Sequence, residues 1–101
     1  MSPMIDIAAS YGRFLSSRRL ARELRMEVER LVATGHDPVT VSFEGVESIS
    51  SSFADGFLGM LVVEHGRSWL DRHIHLRGLQ PEDRRDIEAI LEIRNVRASV
   101  A

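Results

Sequence analysis

The sequence predicts a small α/β domain, a small mixed sheet with parallel β-α-β crossovers and its helices mainly on one face. Three observations carry this. Short runs rich in Ile and Val alternate along the chain with segments of helical apolar periodicity, and strands that alternate with helices imply right-handed parallel crossovers. Each run has one apolar and one more polar face, whereas strands buried between two helix layers are apolar on both. The chain has 101 residues, enough for one domain and not for two, so residues 1–101 are expected to form a single domain.

Met4 to Ala8 reads as the first strand, with Ile5 and Ile7 on one face and Asp6 on the other. Tyr11-Gly12 breaks that pattern. Ser17 to Thr34 reads as a helix in which Leu20, Leu24, Val28 and Leu31 form one stripe, widened by Ala21 and Val32. Its other face carries Arg22, Glu23, Arg25, Glu29 and Arg30, a solvated surface by its mixed charge. Gly35 is the expected stop, with Asp37-Pro38 as the turn after it.

Val39 to Phe43 is the second strand, with Val39, Val41 and Phe43 on one face and Thr40 and Ser42 on the other. Ser52 to His65 reads as the second helix. Ser52 and Asp55 fit the acidic variant of a capping box, and Phe53, Phe57, Leu61 and Ala54, Leu58, Val62 form two adjacent apolar rows. Gly56 and Gly59 cost helicity, about 1 kcal/mol each against Ala, and are expected to permit close approach of a neighbouring backbone. Gly66 ends the helix. His73 to Arg77 is the third strand, with Ile74 and Leu76 opposite His73, His75 and Arg77. Pro81 suits the first position of a last helix, with Glu82 and Asp83 at its N-terminal end, Arg94 and Arg97 towards its C-terminal end, and Ile87, Ile90, Leu91 and the Arg94 stem on its buried face.

Composition narrows the function classes. Hydrophobic residues make up 44% and charged residues 28%, as in ordinary globular domains. No long uncharged apolar run and no signal-peptide pattern occur, so no membrane span and a cytoplasmic location are expected. With no cysteine, disulfides and cysteine-based metal sites are out. A net charge of −2 argues against a dedicated nucleic-acid binder, which needs a basic surplus. All thirteen basic residues are Arg, so a Walker-type nucleotide site, which needs Lys, is excluded. No nucleophile elbow occurs around any serine, and His73-x-His75 is only a weak metal signal. The expectation is a non-enzyme with no catalytic residue, metal or cofactor.

The segment that carries chemistry is Val39 to Leu61, VTVSFEGVESISSSFADGFLGML. A strand stops, three serines follow, and a helix begins. Serine at such a point caps the helix, and a helix N-terminus also favours an anion.

This segment, preceded by GRFLSSRRLARELRMEVE (Gly12 to Glu29), resembles a STAS-like domain. It is most similar to the small bacterial STAS-like family of unassigned function, whose strand ends in Asp-Phe-x-Gly-Val before Ile-Ser-Ser-Ser-Phe-Ala-Asp-Glu. Phe43, Gly45, Val46 and Ile49 through Asp55 match. Ser42 stands where that family commonly has Asp, and Gly56 where it commonly has Glu, so roles of those two carboxylates do not carry over. The wider STAS family includes the anti-sigma factor antagonists, in which a strand leads into Asp-Ser-Ser-Gly and the first serine is phosphorylated by a partner kinase. Sliding that motif onto this chain without gaps places Ser50 at the aspartate, Ser51 at the phospho-acceptor and Phe53 at the glycine; only the serine pair is retained. One N-terminal strand is expected here where antagonists have two.

The resemblance implies a regulatory protein-interaction module, phosphorylated at Ser51, with Glu47, Ser48, Ser50, Ser51, Ser52 and Asp55 as the partner-binding loop. The implied partner is a protein, a GHKL-type kinase or anti-sigma factor, with no nucleic acid and no membrane. The alternative is a small-molecule or anion-sensing STAS-like domain. The open edges of a small sheet also allow a homodimer.

Overall fold

The computed structural model describes the backbone of residues 3–100 and the side chains of residues 3–96. Its order is β1 (Met4–Asp6), α1 (Ile7–Tyr11), β2 (Phe14–Leu15), α2 (Arg18–Ala33), β3 (Val39–Ser42), β4 (Ser48–Ile49), α3 (Ser51–Ala54), a π-helical turn (Asp55–Gly59), α4 (Met60–His65), α5 (Arg67–His73), β5 (Ile74–Arg77) and α6 (Pro81–Val100). The predicted α/β class with parallel crossovers is the observed one. All described ladders are parallel: a three-stranded sheet ordered β1-β3-β5 and a two-stranded one, β2-β4.

The first strand is shorter than expected. Asp6 ends it by accepting a hydrogen bond from the Ala9 N–H at 3.3 Å, which caps α1, so Ile7 and Ala8 are helical. Helix α2 follows its periodicity. Ser17 Oγ caps it, accepting from Arg19 and Leu20 N–H, and Ala21, Leu24 and Val28 are fully buried. At its end Gly35 (φ +88°) takes the left-handed conformation that favours glycine. The Gly35 N–H then reaches Val32 C=O and His36 N–H reaches Leu31 C=O, the paired bonds of a Schellman stop.

The central strand β3 holds the sheet in register, with Val41 between Ile5 and Leu76. Val39, Val41 and Ile74 are buried in the core with Phe53, Phe57, Leu61 and Val62 from the helices and Ile87 and Leu91 from α6. The opposite face carries Met4, Asp6, Thr40, His75 and Arg77. Ser42 belongs to that face yet is only 4% exposed. Arg77, its partner in register, reaches Met4 Sδ and Glu44 Oε1 across the strand ends.

The second helix starts at Ser51, one residue earlier than expected, and contains the π turn. A π turn adds one residue and rotates the face that follows. Two adjacent apolar rows are wide enough to absorb that rotation, and all six of their residues remain buried. Gly56 lies against α2, where an added Cβ would stand 3.1 Å from Ala21 Cβ.

Helix α5 and the short β2-β4 ladder were not expected. Helix α5 takes His73 out of the third strand, which begins at Ile74. His73 Nδ1 lies 2.7 Å from Asp37 Oδ1, while His75 is exposed on the open sheet face, so the two histidines do not form a pair. The α2 face read as solvated is only partly so: Glu29 lies 2.8 Å from His65, and Arg25 reaches Glu64 on α4. Arg94 does not serve the end of α6, which runs on to Val100; it pairs with Asp55. The Arg97 side chain lies outside the described residues.

Candidate functional site

The serine segment is held by backbone before any side chain acts. The N–H groups of Glu47 and Ser48 both donate to Arg13 C=O, and that of Ser50 donates to Leu15 C=O. Two residues on each side suffice as a ladder because Leu15 is fully buried beneath it.

Ser50, in an extended conformation, is the helix cap. Its Oγ accepts from Phe53 N–H at 3.0 Å, and its C=O accepts from Ala54 N–H. This corrects the capping assignment to Ser52, which lies one residue inside the helix. Buried Phe53 and Ala54 anchor the first turn in the core, so the cap falls three residues before Phe53. Ser51 is the first helical residue and is exposed; Ser52 is half-buried. The N–H groups of the first turn lack intrahelical acceptors. Ser50 satisfies that of Phe53.

Asp55 does not close a capping box either. Its carboxylate accepts two hydrogen bonds from the Arg94 guanidinium, at 2.7 and 2.6 Å. The pairing raises the Arg94 pKa above its usual value, first through the hydrogen bond and then through the charge of Asp55. Gly59 makes room for the pair, since an added Cβ would collide with Asp55 Oδ1.

Ser51 borders two hollows. A groove of about 260 Å³ runs between the β4-α3 junction and α6, with Ile49, Ala54, Ile87 and Ile90 supplying apolar surface and Asp83 and Asp86 supplying acid. Ser50 and Ser51 form its serine edge. A second hollow of about 240 Å³ is lined by Arg18, Ser51, Ser52, Asp55 and Ile90. Ser51 thus stands between an acidic groove and an arginine. Among the described residues no hydrogen bond or ion pair holds the Arg18 guanidinium.

The structure brings Ser50, Ser51, Ser52 and Asp55 to these hollows; Glu47 and Ser48 flank the junction and line neither. Sequence reading missed Arg18, Asp83, Asp86 and Arg94 as site residues. The α6 residues Asp83, Asp86 and Arg94 lie 31 to 44 positions after the serines, and no local pattern links them. Arg18 follows the Ser17 cap and reads locally as a helix start.

Residues 21–84 match a family described as a STAS-like domain of unknown function. The chain belongs to this family. Searches of curated proteins and of solved structures find no match. The matched span of the STAS-like chain runs from α2 through the serine junction to the first residues of α6. Asp86, Ile87 and Ile90 on the groove wall, and Arg18 in the second hollow, lie outside it. Among the described residues, no helix is long and apolar enough to cross a membrane.

Proposed function

We propose that this STAS-like domain is a non-enzymatic regulatory module that docks a protein partner on the groove beside Ser51 and is switched by phosphorylation of Ser51. The observation that carries the reading is the division of labour among the serines. Ser50 Oγ is committed to the cap, while Ser51, the next residue, is exposed and borders both hollows. Phosphorylation adds about −1.5 to −2 charge at neutral pH. Arg94 already compensates Asp55, so Asp83 and Asp86 are the acids that would oppose the phosphate, and Arg18 the cation that would receive it. The modification would make an already acidic groove more so, without altering the core beneath it. A partner that binds the apolar floor is then released by the phosphorylated form.

The test is incubation with a GHKL-type kinase of the same host, read by intact mass and peptide mapping, together with partner binding by Ser51→Ala and Ser51→Glu. The reading expects one added phosphate on Ser51, binding by the alanine variant and weakened binding by the glutamate variant. Unchanged binding in both variants would sink the switch.

A second reading, an anion sensor, is favoured by one observation: Arg18 opens onto the same hollow as the Ser51 and Ser52 side chains. A thermal-shift screen with nucleotides and phosphorylated metabolites tests it, because a ligand that binds only the folded state raises the midpoint. Loss of any such shift in Arg18→Ala is the expected control.

A further inference from the structure

The geometry points to a divalent transition-metal site, formed by Glu29 of α2 with Glu64 and His65 of α4, away from the serine groove. Each residue offers one ligand atom, and the three atoms lie within 4.8 Å of one another. His65 Nε2 is 2.8 Å from Glu29 Oε2 and 4.0 Å from Glu64 Oε2. Tetrahedral zinc, bound at about 2.0–2.2 Å, holds its ligands about 3.4 Å apart. The first separation must open and the second close, each by about half an ångström, and the separation between the two carboxylate oxygens, which is at most 4.8 Å, must close by up to about 1.4 Å to reach that spacing. Side-chain torsions supply such movement without displacing a helix.

The donor set is more than a pair of surface acids. An imidazole nitrogen selects zinc and its transition-metal neighbours over calcium and magnesium, which prefer oxygen alone. The ring is held in place: His65 stacks on Trp69 with centroids 4.1 Å apart and planes 19° apart. One ligand carboxylate is held as well, because Arg25 Nη1 contacts Glu64 Oε1 at 3.4 Å and leaves Oε2 towards the histidine. Such outer contacts orient metal ligands. The Arg25 charge also opposes a cation, so the site is that of an exchangeable metal rather than a permanently held one. Three protein ligands leave a fourth position for water or a partner's side chain. Because the ligands come from two helices, a bound ion ties α2 to the end of α4. None of the three residues lines the groove or the hollow at Ser51, so this site stands or falls independently of the switch.

The lone tryptophan of the chain makes the site observable. The untagged full chain is titrated with zinc chloride and, separately, with cobalt chloride. Zinc is expected to raise the thermal midpoint. Cobalt is expected to develop the visible bands of tetrahedral coordination and to quench Trp69 fluorescence at one equivalent. His65→Ala and Glu29→Gln should each weaken apparent affinity by about tenfold or more, a loss at least as large as for an outer-shell contact. Glu29→Gln keeps shape and hydrogen bonding, so it reports on the site even if His65→Ala folds poorly. His73→Ala is the control; His73 packs on the same indole at 5.0 Å but pairs with Asp37 rather than with Glu29 or Glu64, and its loss should leave affinity unchanged. No response in the wild-type chain, or an equal response in Glu29→Gln, overturns the site.

Discussion

At the scale of single residues, the Asp55-Arg94 pair is the strongest polar contact near the serines, and Gly59 is the position that permits it. Both side chains are partly exposed, at 21% for Asp55 and 29% for Arg94, so solvent screening discounts the pair to about 1–2 kcal/mol. Replacing Gly59 by Ala would gain about 1 kcal/mol of helix propensity, yet the new methyl meets a carboxylate that Arg94 holds by two bonds. The clash exceeds the gain, and Gly59→Ala is expected to destabilise by about 1–2 kcal/mol net. In an Asp55→Ala background the obstacle is gone, and the same substitution should become neutral or stabilising. Urea denaturation of the four chains in the cycle measures this coupling; an equal cost in both backgrounds would mean that the carboxylate is not what Gly59 accommodates.

Glu27 gives a pH signature at the same scale. Arg30 donates two hydrogen bonds to it, at 3.1 and 2.7 Å, and this bonding, opposed by desolvation and aided by the charge of Arg30, holds its carboxyl below the ordinary glutamate range. A folded-state pKa that is lowered contributes stability above the unfolded value and loses it as pH falls through the folded one. Glu27→Gln should therefore lower the denaturation midpoint at neutral pH by a small amount. The difference should vanish as pH drops through and below the carboxylate range. A difference that persists in acid would assign the effect to packing.

At the scale of elements, the serine junction makes a sharp test of which hydroxyl caps the helix. Ser50→Ala removes the acceptor for Phe53 N–H and should cost about 1 kcal/mol. Ser52→Ala, already inside the helix, should be close to neutral because alanine has the better propensity. Thermal midpoints of the two variants distinguish them, and the reverse order would return the cap to Ser52. The same junction shows what the sequence makes legible. Helix α2 was readable because Leu20, Leu24, Val28 and Leu31 repeat over three turns between a serine cap and a glycine stop. The strand-to-helix change at the serines was readable too, but its register was not. Ser50, Ser51 and Ser52 are locally interchangeable as caps, and the choice depends on burying Phe53 and on the Ser50 N–H bond to Leu15. Helix α5 gives no periodic signal, since Leu70 is its one buried residue. Arg67 ties it to Glu88 on α6 and also bonds Asp71 within the helix.

At the scale of the whole molecule, the radius of gyration is 12.7 Å, close to the roughly 13 Å of a compact 100-residue domain. One hydrophobic cluster joins the helices to the three-stranded sheet, and the groove at Ser51 exists only where α6 closes onto the serine junction. This is why its far wall was not legible in local sequence. The same closure predicts that unfolding is all-or-none. Trp69 tests this from the least obvious corner. It lies between His65, tied to Glu29, and His73, tied to Asp37, so its fluorescence reports on the contact of the α4-α5 corner with α2 and the turn before β3. Far-ultraviolet circular dichroism reports on the helices together. If the corner is part of the common core, the two probes share one urea midpoint and one slope. If the corner is held only by its surface ion pairs, which are individually weak, fluorescence changes at lower urea. The partly buried Trp69 packs against the main cluster, and that apolar contact outweighs exposed pairs per residue, so coincidence is the expected result. A fluorescence midpoint clearly below the dichroism midpoint would show the corner opening as a separate unit.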